Sequence, residues 1–504
     1  MVVLSARIED PKIAHSLTKN LKRRQLAWRL VWIGLLAAML AAGVYGYYRY
    51  AAYGRAKVAL LVQEAQQDEA KFALTAALAK YTEAQALQAV APSGAAEAYY
   101  RAALLYEGKA DHAKAQELLK QAEQLDDAQI RYPLALGRSL VVTRSADLAE
   151  QAFDRALALE PNNPEVLTGK ARVALLRQDP TTALELLGQA LDQHGDNKAD
   201  VLTEATLLKA ILDVHTRPTS SSETFVQIAG TSSNKGFAAT ARTLAPIADQ
   251  INTKLDAPSF ERVLVGAALI EHNELDLALL ELRDATERDQ SYRDAWVNRA
   301  EAELLLSDLD SAQASIDKAL LLDPTFGFSR FVVGQIAQRR DKLQEARSAF
   351  EQALEQRYNE PQVYLALADV LVQLNDPSAA IKKLQGAVEA KIESHEVYDR
   401  LFWLLVEAGK DQQALQVAQR YTTFDDRGTT AQGLLAYAQL LTGTTETALK
   451  TAESLLTRDP LSAIGSLVVG VLKNDRVFLE KARDLDLGGK VAHLANQALE
   501  AQAE

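Results

Sequence analysis

The stretch GQIAQRRDKLQEARSAFEQA, residues 334–353, decides the fold of this chain. It places Gly334 in one predicted helix and Ala346, Phe350 and Ala353 in the next, and the alanine recurs every 34 residues. A fixed period of this length is typical of a helix-turn-helix unit that stacks on copies of itself. The period therefore predicts an all-α solenoid. The periodic alanines form two runs: Ala115, Ala149 and Ala183, then Ala278, Ala312, Ala346, Ala380, Ala414 and Ala448.

The spacing of small and large residues has a packing reason. Two antiparallel helices approach closely only where small residues face each other, and large apolar residues fill the space around them. Residues 130–163 carry Leu136-Gly137, Ala149, Phe153, Ala156 and Pro161 in this arrangement. The pattern resembles the tetratricopeptide-repeat superfamily, and with the N-terminal features below the chain is similar to its membrane-anchored bacterial members. The resemblance implies a binding protein whose first helices line a concave surface.

The repeats divide the chain into predicted segments. A helical stalk or degenerate repeat covers residues 49–95, and a first array covers 96–213. A second array covers 259–462, and helices over 463–504 are expected to cap its apolar end, as terminal units of a solenoid must. In its last two units Ala418 and Ala452 stand where a large residue is usual, and Tyr421 and Leu455 where alanine is usual.

The repeat register breaks between the two arrays. Residues 214–258 contain two polar, turn-rich runs, 216–222 and 230–234, followed by a predicted helix over 236–255. The sequence leaves two interpretations open here, a packed irregular repeat and a flexible hinge.

A membrane anchor is predicted near the N-terminus. Residues 1–29 carry seven basic and two acidic side chains, and residues 30–48 carry no charge at all. At 1.5 Å per residue, these 19 positions nearly span the roughly 30 Å core of a bilayer. Tryptophans at one end and tyrosines at the other match the aromatic belts of membrane helices. A buried core helix and a cleaved signal peptide are the alternatives, but the apolar stretch is longer than a typical signal core.

The flanking charges predict the orientation of this helix. Six Lys or Arg lie between residues 12 and 29, and three lie between 49 and 68. Because positive residues accumulate on the cytoplasmic side, we expect a cytoplasmic N-terminus and repeats in the periplasm of a bacterial inner membrane.

Composition excludes several classes of function. The chain has no cysteine, so catalytic thiols, zinc ribbons and disulfides are excluded. Its net charge of −12 argues against nucleic acid as a partner and favours basic or polar proteins. Histidines lack metal-ligand spacing, and Gly488-Gly489-Lys490 lacks the first glycine of a phosphate loop. We therefore expect no cofactor and no enzyme, unless residues 214–258 gather a titratable pocket. Self-association into a homo-oligomer is a further expectation.

Binding is the function that remains, and the resemblance places it on the first helices. The polar or aromatic residues there that do not serve stacking are the candidate contacts. These are Asn298, Glu301, Gln335, Arg339, Asp369, Gln373, Asp399, Trp403 and Glu407. Trp403 is the strongest candidate as an exposed aromatic in a groove, with burial between helices as its alternative.

Two functions follow as expectations. The first is a periplasmic scaffold that recruits or positions components of a cell-envelope, secretion or polysaccharide-export assembly. The second is a cytosol-facing chaperone-docking or import receptor, because the segment Trp296-Val297-Asn298 resembles the carboxylate clamp of chaperone-binding repeats. That clamp also needs an asparagine where this chain has Ala267.

Overall fold

The computed structural model describes residues 11–192, 199–253, 257–486 and 489–502. Side chains are described from residue 28 onward, except at residues 199–201, so most side chains of the predicted basic segment 1–29 lie outside the described part of the chain. The described backbone forms 26 helices and contains no strand. The all-α solenoid predicted from the period is confirmed.

Helix α1 (Pro11–Ala70) is continuous, but its two halves have different surroundings. The part of it from Trp28 to Ala70 is the one helix, among the described residues, that is long and apolar enough to cross a membrane. Its most apolar window has a mean hydropathy of 1.8 and buries none of its side chains. Farther along, Val58 and Ala65 are buried against the following helices. The helix thus leaves the apolar stretch and enters the solenoid without a break.

The first array consists of paired antiparallel helices. Helix α2 (Leu74–Gln85) packs between α1 and α3, and Gly94 of α3 lies so close to α1 that an added Cβ would stand 2.7 Å from Val58. The helices that follow are α3 (Pro92–Gly108), α4 (His112–Leu125), α5 (Arg131–Val142), α6 (Ala146–Leu159), α7 (Pro164–Leu176) and α8 (Pro180–Asp192).

Three helices connect the arrays: α9 (Ala199–Leu212), α10 (Pro218–Thr231) and α11 (Lys235–Asn252). The serine run that the sequence indicated as a turn lies inside α10, which corrects that expectation. Pro218 occupies the first turn, where its missing N–H removes no helical hydrogen bond. Ser221 Oγ donates to the Ala210 carbonyl at 2.9 Å and Ser222 Oγ to Asp249 at 2.5 Å, so both buried hydroxyls are satisfied. The second polar run forms the turn before α11, where the Asn234 side chain accepts from the Phe237 N–H.

The second array and the C-terminal helices continue the stack. The array contains α12 (Pro258–Glu271), α13 (Leu275–Arg288), α14 (Arg293–Leu305), α15 (Leu309–Leu322), α16 (Gly327–Arg339), α17 (Leu343–Glu355), α18 (Pro361–Gln373), α19 (Pro377–Glu389), α20 (His395–Glu407), α21 (Asp411–Phe424), α22 (Thr429–Leu441) and α23 (Thr445–Arg458). It is followed by α24 (Ala463–Lys473), α25 (Arg476–Leu485) and α26 (Lys490–Ala501), which pack on one another and on α22.

The 34-residue period marks the core. All nine periodic alanines are fully buried. A Cβ added to Gly334 would stand 2.4 Å from the ring of Phe350, so glycine is required for this helix contact. In the last two units Tyr421 and Leu455 are buried instead, and Tyr421 stacks on Tyr398 with ring centroids 4.9 Å apart. The exchange of small and large residues read from the sequence is confirmed.

The backbone follows the same period. In both arrays, the turn between the two helices of a unit contains one residue with a left-handed φ between 57° and 79°. These residues are Ala110, Arg144, Gln178, Asn273, Ser307, Asp341, Asn375, Gly409 and Gly443. Identical turns give every unit the same inter-helix geometry, so small rotations accumulate into a superhelix.

The superhelix brings distant units together. Helix α7 of the first array contacts α13 of the second. Near the two ends of the solenoid, the Thr75 hydroxyl of α2 donates to Asp484 of α25 at 3.1 Å, across 409 residues of sequence. Such contacts are absent from the repeat pattern, which specifies only neighbouring units.

Candidate protein-binding face

All nine candidate residues lie on the first helices of their units, α14, α16, α18 and α20. Glu301, Gln335, Asp369 and Trp403 occupy equivalent positions 34 residues apart. The next equivalent residue, Tyr437, stacks near Trp403 with ring centroids 5.7 Å apart, so successive positions are spatial neighbours. Arg339, Gln373 and Glu407 form a second row of the same kind. The repeat geometry thus aligns side chains that are far apart in sequence.

Two members of the first row have unmet hydrogen-bonding capacity. Within the described residues, Glu301 forms no hydrogen bond or ion pair, and burial raises the pKa of its carboxyl to about 7. The Oε1 atom of Gln335, on the next unit, is buried without a hydrogen-bond partner. Burial, with Glu301 and Glu360 nearby, also raises the pKa of Tyr358 to about 12. Groups of this kind bind a ligand that donates hydrogen bonds or carries positive charge.

Asn298 uses its side chain within its own helix. Its Nδ2 donates to the Asp294 carbonyl at 2.8 Å. This bond uses one of the two N–H groups of the amide, and Ala267 offers no second amide for the clamp that the sequence suggested. In the second row, the side chains of Arg339 and Gln373 are exposed.

A cleft opens beside the second half of the row. It comprises two adjoining cavities of 880 and 540 Å³ that share Asp399, Arg400, Thr429 and Thr430. Carboxylates outnumber basic side chains in its lining. The acidic residues are Asp369, Glu396, Asp399, Asp425, Asp459 and Asp486, and the basic ones are Arg400, Lys490 and, when protonated, His395. The cleft suits a partner that carries positive charge.

The charges in the cleft are partly paired. Asp369 and Arg400 form an ion pair at 2.7 Å, but nearly half of the Asp369 side chain stays exposed. Burial raises the pKa of Asp399, and this effect exceeds the opposing influence of the Trp403 N–H, which donates to Asp399 at 3.2 Å. An incoming cation would relieve this desolvated carboxylate.

Trp403 is not the exposed aromatic that the sequence favoured. Only 9% of it is exposed, because Tyr437, Phe402 and the C-terminal helices surround its ring. Lys490, at the start of α26, lies with Nζ 5.3 Å from the ring centroid and forms an ion pair with Glu407 at 2.6 Å. The capping helix therefore covers this end of the row, and Trp403 forms a wall of the cleft.

Sequence reasoning missed the polar contacts between the arrays. Arg144 and Arg172 of the first array bind carboxylates of the second, and a cavity of 570 Å³ lies beside them. No local pattern predicts pairs separated by 102 to 132 residues.

The segment proposed for an enzymatic alternative, residues 214–258, is described except at 254–256. In the part of the chain that the structure describes, no group of three or more His, Asp or Glu is placed to hold a metal ion. His215 there contacts Glu281 at 2.8 Å, and Arg262 binds the same carboxylate oxygen at 2.8 Å. Glu281 is thus a buried carboxylate held by an ion pair with Arg262 and by the contact with His215.

Comparison with known proteins identifies the repeats. Tetratricopeptide-repeat family models match residues 134–198, 266–325 and 334–395, and a second such model matches 96–129. Human tetratricopeptide repeat protein 7A is 22% identical over 321 residues, which cover 60% of this chain and 37% of that protein. Cellulose synthase operon protein C of Pseudomonas fluorescens (strain SBW25) is 36% identical over 97 residues, 19% of this chain and 8% of that protein. The chain thus spans well under half the length of either relative.

Among solved structures, the APC/C hetero-tetramer Cut9–Hcn1 aligns with a TM-score of 0.38 and 15% identity, over 89% of this chain and 96% of that one. The repeat models and the helical pairs described above agree on the unit and on its register. The matched residues of this chain are tetratricopeptide repeats.

Proposed function

We propose that the protein is a non-enzymatic interaction scaffold, anchored in a bacterial inner membrane by residues 30–48, with its repeats in the periplasm. It recruits or positions components of a cell-envelope, secretion or polysaccharide-export assembly. The partial likeness to a cellulose synthase operon protein favours polysaccharide export among these. Tetratricopeptide repeats are interaction modules, so this role needs no reaction chemistry from the chain.

The observation that carries the proposal is the row of acceptor groups that ends in an acidic cleft. Within the described residues, Glu301 and the Gln335 Oε1 atom form no hydrogen bond, and Asp369, the next residue of the row, lines a cleft with more acidic than basic side chains. A protein segment with Lys or Arg side chains would supply both the charge and the hydrogen-bond donors that this face lacks. We therefore expect a basic or polar partner segment in the second array.

The membrane anchor would hold the binding face near the bilayer. Helix α1 runs without a break from its apolar stretch into the first packed unit, so the array stays close to the bilayer. Confinement of this kind raises the effective concentration of any bound partner near a membrane assembly. The scaffold would act by geometry alone.

Site-specific photo-crosslinking tests the binding face. A photoreactive amino acid at Thr430, which lies in the cleft, should give a crosslinked protein adduct in intact cells. The same probe at Lys318, exposed on a second helix, should give none. Asp399→Asn keeps the acceptor oxygen for Trp403 but removes the charge, and it should lower the adduct yield severalfold.

The matched control for that variant is Glu345→Gln, which removes one charge from an exposed second helix. Equal adduct yields in the two variants, or adducts of similar strength from both probe positions, would contradict binding in the cleft.

A further inference from the structure

The two arrays meet through polar contacts made by their turns. Arg144 forms a two-pronged pair with Asp276, with N–O distances of 2.7 and 3.0 Å. Arg172 binds Glu204 of the first array through Nε at 2.7 Å and Glu274 of the second array through both terminal nitrogens, at 2.7 and 3.2 Å. Gln178 Nε2 adds a hydrogen bond to the Asp276 carbonyl at 3.3 Å. We call these three inter-array residue pairs, of Arg144 and Gln178 with Asp276 and of Arg172 with Glu274, the clasp.

The clasp is electrostatically strong for its size. Side chains of Arg172 and Glu274 are 24% and 16% exposed, so water screens their pair only partly. Burial opposes the charge of Arg172, but Glu274 and Glu204 outweigh it and hold the pKa of the guanidinium above its ordinary value. Removing one partner from such a pair leaves a desolvated charge, which is strongly destabilising.

The interface around the clasp is otherwise poorly filled. A cavity of 570 Å³ lies between the arrays, bounded by α5 and α7 on one side and by the turns at 272–277 and 305–307 on the other. Interiors that hold two elements together by apolar packing contain few voids larger than a water molecule. At this contact, ion pairs thus bridge a gap, while the apolar core that joins the two arrays runs through α9, α10 and α11.

The residues around this cavity limit the access of a polypeptide to the first array. Its walls on the first array come mainly from the first helices α5 and α7, whose side of the repeats we take as the inner face. With the clasp closed, the turn at His272, Asn273 and Glu274 lies over that face. A polypeptide cannot run along the inner face of the first array while this turn occupies it.

From this geometry we infer that the clasp is a reversible gate, whose opening widens the gap between α7 and α13 and frees the inner face of the first array. The gate rests on the proposed scaffold function only in what it would control, which is access of a partner to the first array. The opening itself is a property of the isolated chain. The packed helices α9 to α11 link the two sides and would transmit the movement.

Distance measurement between spin labels tests the gate. The chain has no cysteine, so labels placed at Leu148→Cys in α6 and Leu321→Cys in α15, both exposed sites, report only on the distance between the arrays. In the full chain in nanodiscs, we expect one narrow distance distribution. Arg144→Asp should shift it to longer and broader distances, and adding Asp276→Arg should restore the narrow peak.

Two controls keep the result interpretable. Arg155→Asp breaks an equivalent two-pronged pair with Glu123 inside the first array, at 2.6 and 3.0 Å, and should leave the distribution unchanged. Circular dichroism of each variant checks that the helices remain. An unchanged distribution in Arg144→Asp, a shift of equal size in Arg155→Asp, or a failure of the reciprocal swap to restore the peak would overturn the gate. None of these outcomes bears on binding in the cleft of the second array.

Discussion

Single glycines on the first helices fix how closely the two helices of a unit approach. Gly334→Ala would force a methyl group to 2.4 Å from the Phe350 ring, so we expect a loss of about 1–3 kcal/mol in the free energy of unfolding. Gly386→Ala, where nothing lies within 4 Å of the added group, should instead gain about 0.5–1 kcal/mol from helix propensity. Urea unfolding of both variants measures the difference, and equal effects would show that the helix register is wrong.

Glu301 makes stability depend on pH. Burial raises the pKa of its carboxyl to about 7 in the folded chain, against 4.5 in the unfolded chain. The folded state therefore binds more protons between these values, and its stability falls as pH rises from 4.5 to 7. Glu301→Gln should remove this fall and gain on the order of 1–3 kcal/mol at pH 8, with little gain at pH 4.5.

Urea unfolding at both pH values, with wild type and variant compared at each, isolates this residue because all other groups titrate in both proteins. A gain of the same size at both pH values would show that Glu301 is not a desolvated carboxylate.

For single residues, the sequence predicted which side chains pack between helices better than it predicted which side chains are placed to bind a partner. Alanines such as Ala346 had to be small whatever the partner, because helix approach depends only on local side-chain volume. The sequence left exposure and burial open for Trp403, since its burial depends on α26, whose first residue lies 87 residues farther along the chain. The desolvation of Glu301 likewise depends on packing that no local pattern encodes.

Among the helical elements, the connection between the arrays has the clearest test. The sequence allowed a flexible hinge in residues 214–258, whereas α10 and α11 form a tightly packed pair with satisfied serine hydroxyls. We expect hydrogen exchange across Pro218–Thr231 and Lys235–Asn252 to be slowed as much as in the helices of the second array, since buried hydrogen-bonded amides exchange only on opening. Full exchange within seconds would indicate a hinge instead.

Helix boundaries differ in how well the sequence predicts them. The turns of the arrays follow the 34-residue period, so their positions could be predicted from the alanines alone. The start of α10 could not be recognised, because Pro218 and the serines after it are common both in turns and in the first turn of a helix. Tertiary hydrogen bonds decided between the two.

For the whole molecule, the repeat period predicted the solenoid but not the contacts between units that are distant in sequence. Arg144 meets Asp276 across 132 residues, and Thr75 meets Asp484 across 409. Accumulated rotation of many similar units sets these contacts, and a periodic pattern specifies only the relation between neighbours. The proposed gate therefore depends on information that appears only in the folded chain.

The central claim is that one N-terminal helix anchors a binding array outside the cytoplasm. Its most direct test is a pair of topology reporters, one active only in the cytoplasm and one only beyond the membrane, each fused to the C-terminus of the full chain in a bacterial host. The account predicts activity of the external reporter alone, since positive residues are concentrated before residue 30. Activity of the cytoplasmic reporter alone would contradict it and would favour a cytosol-facing docking receptor.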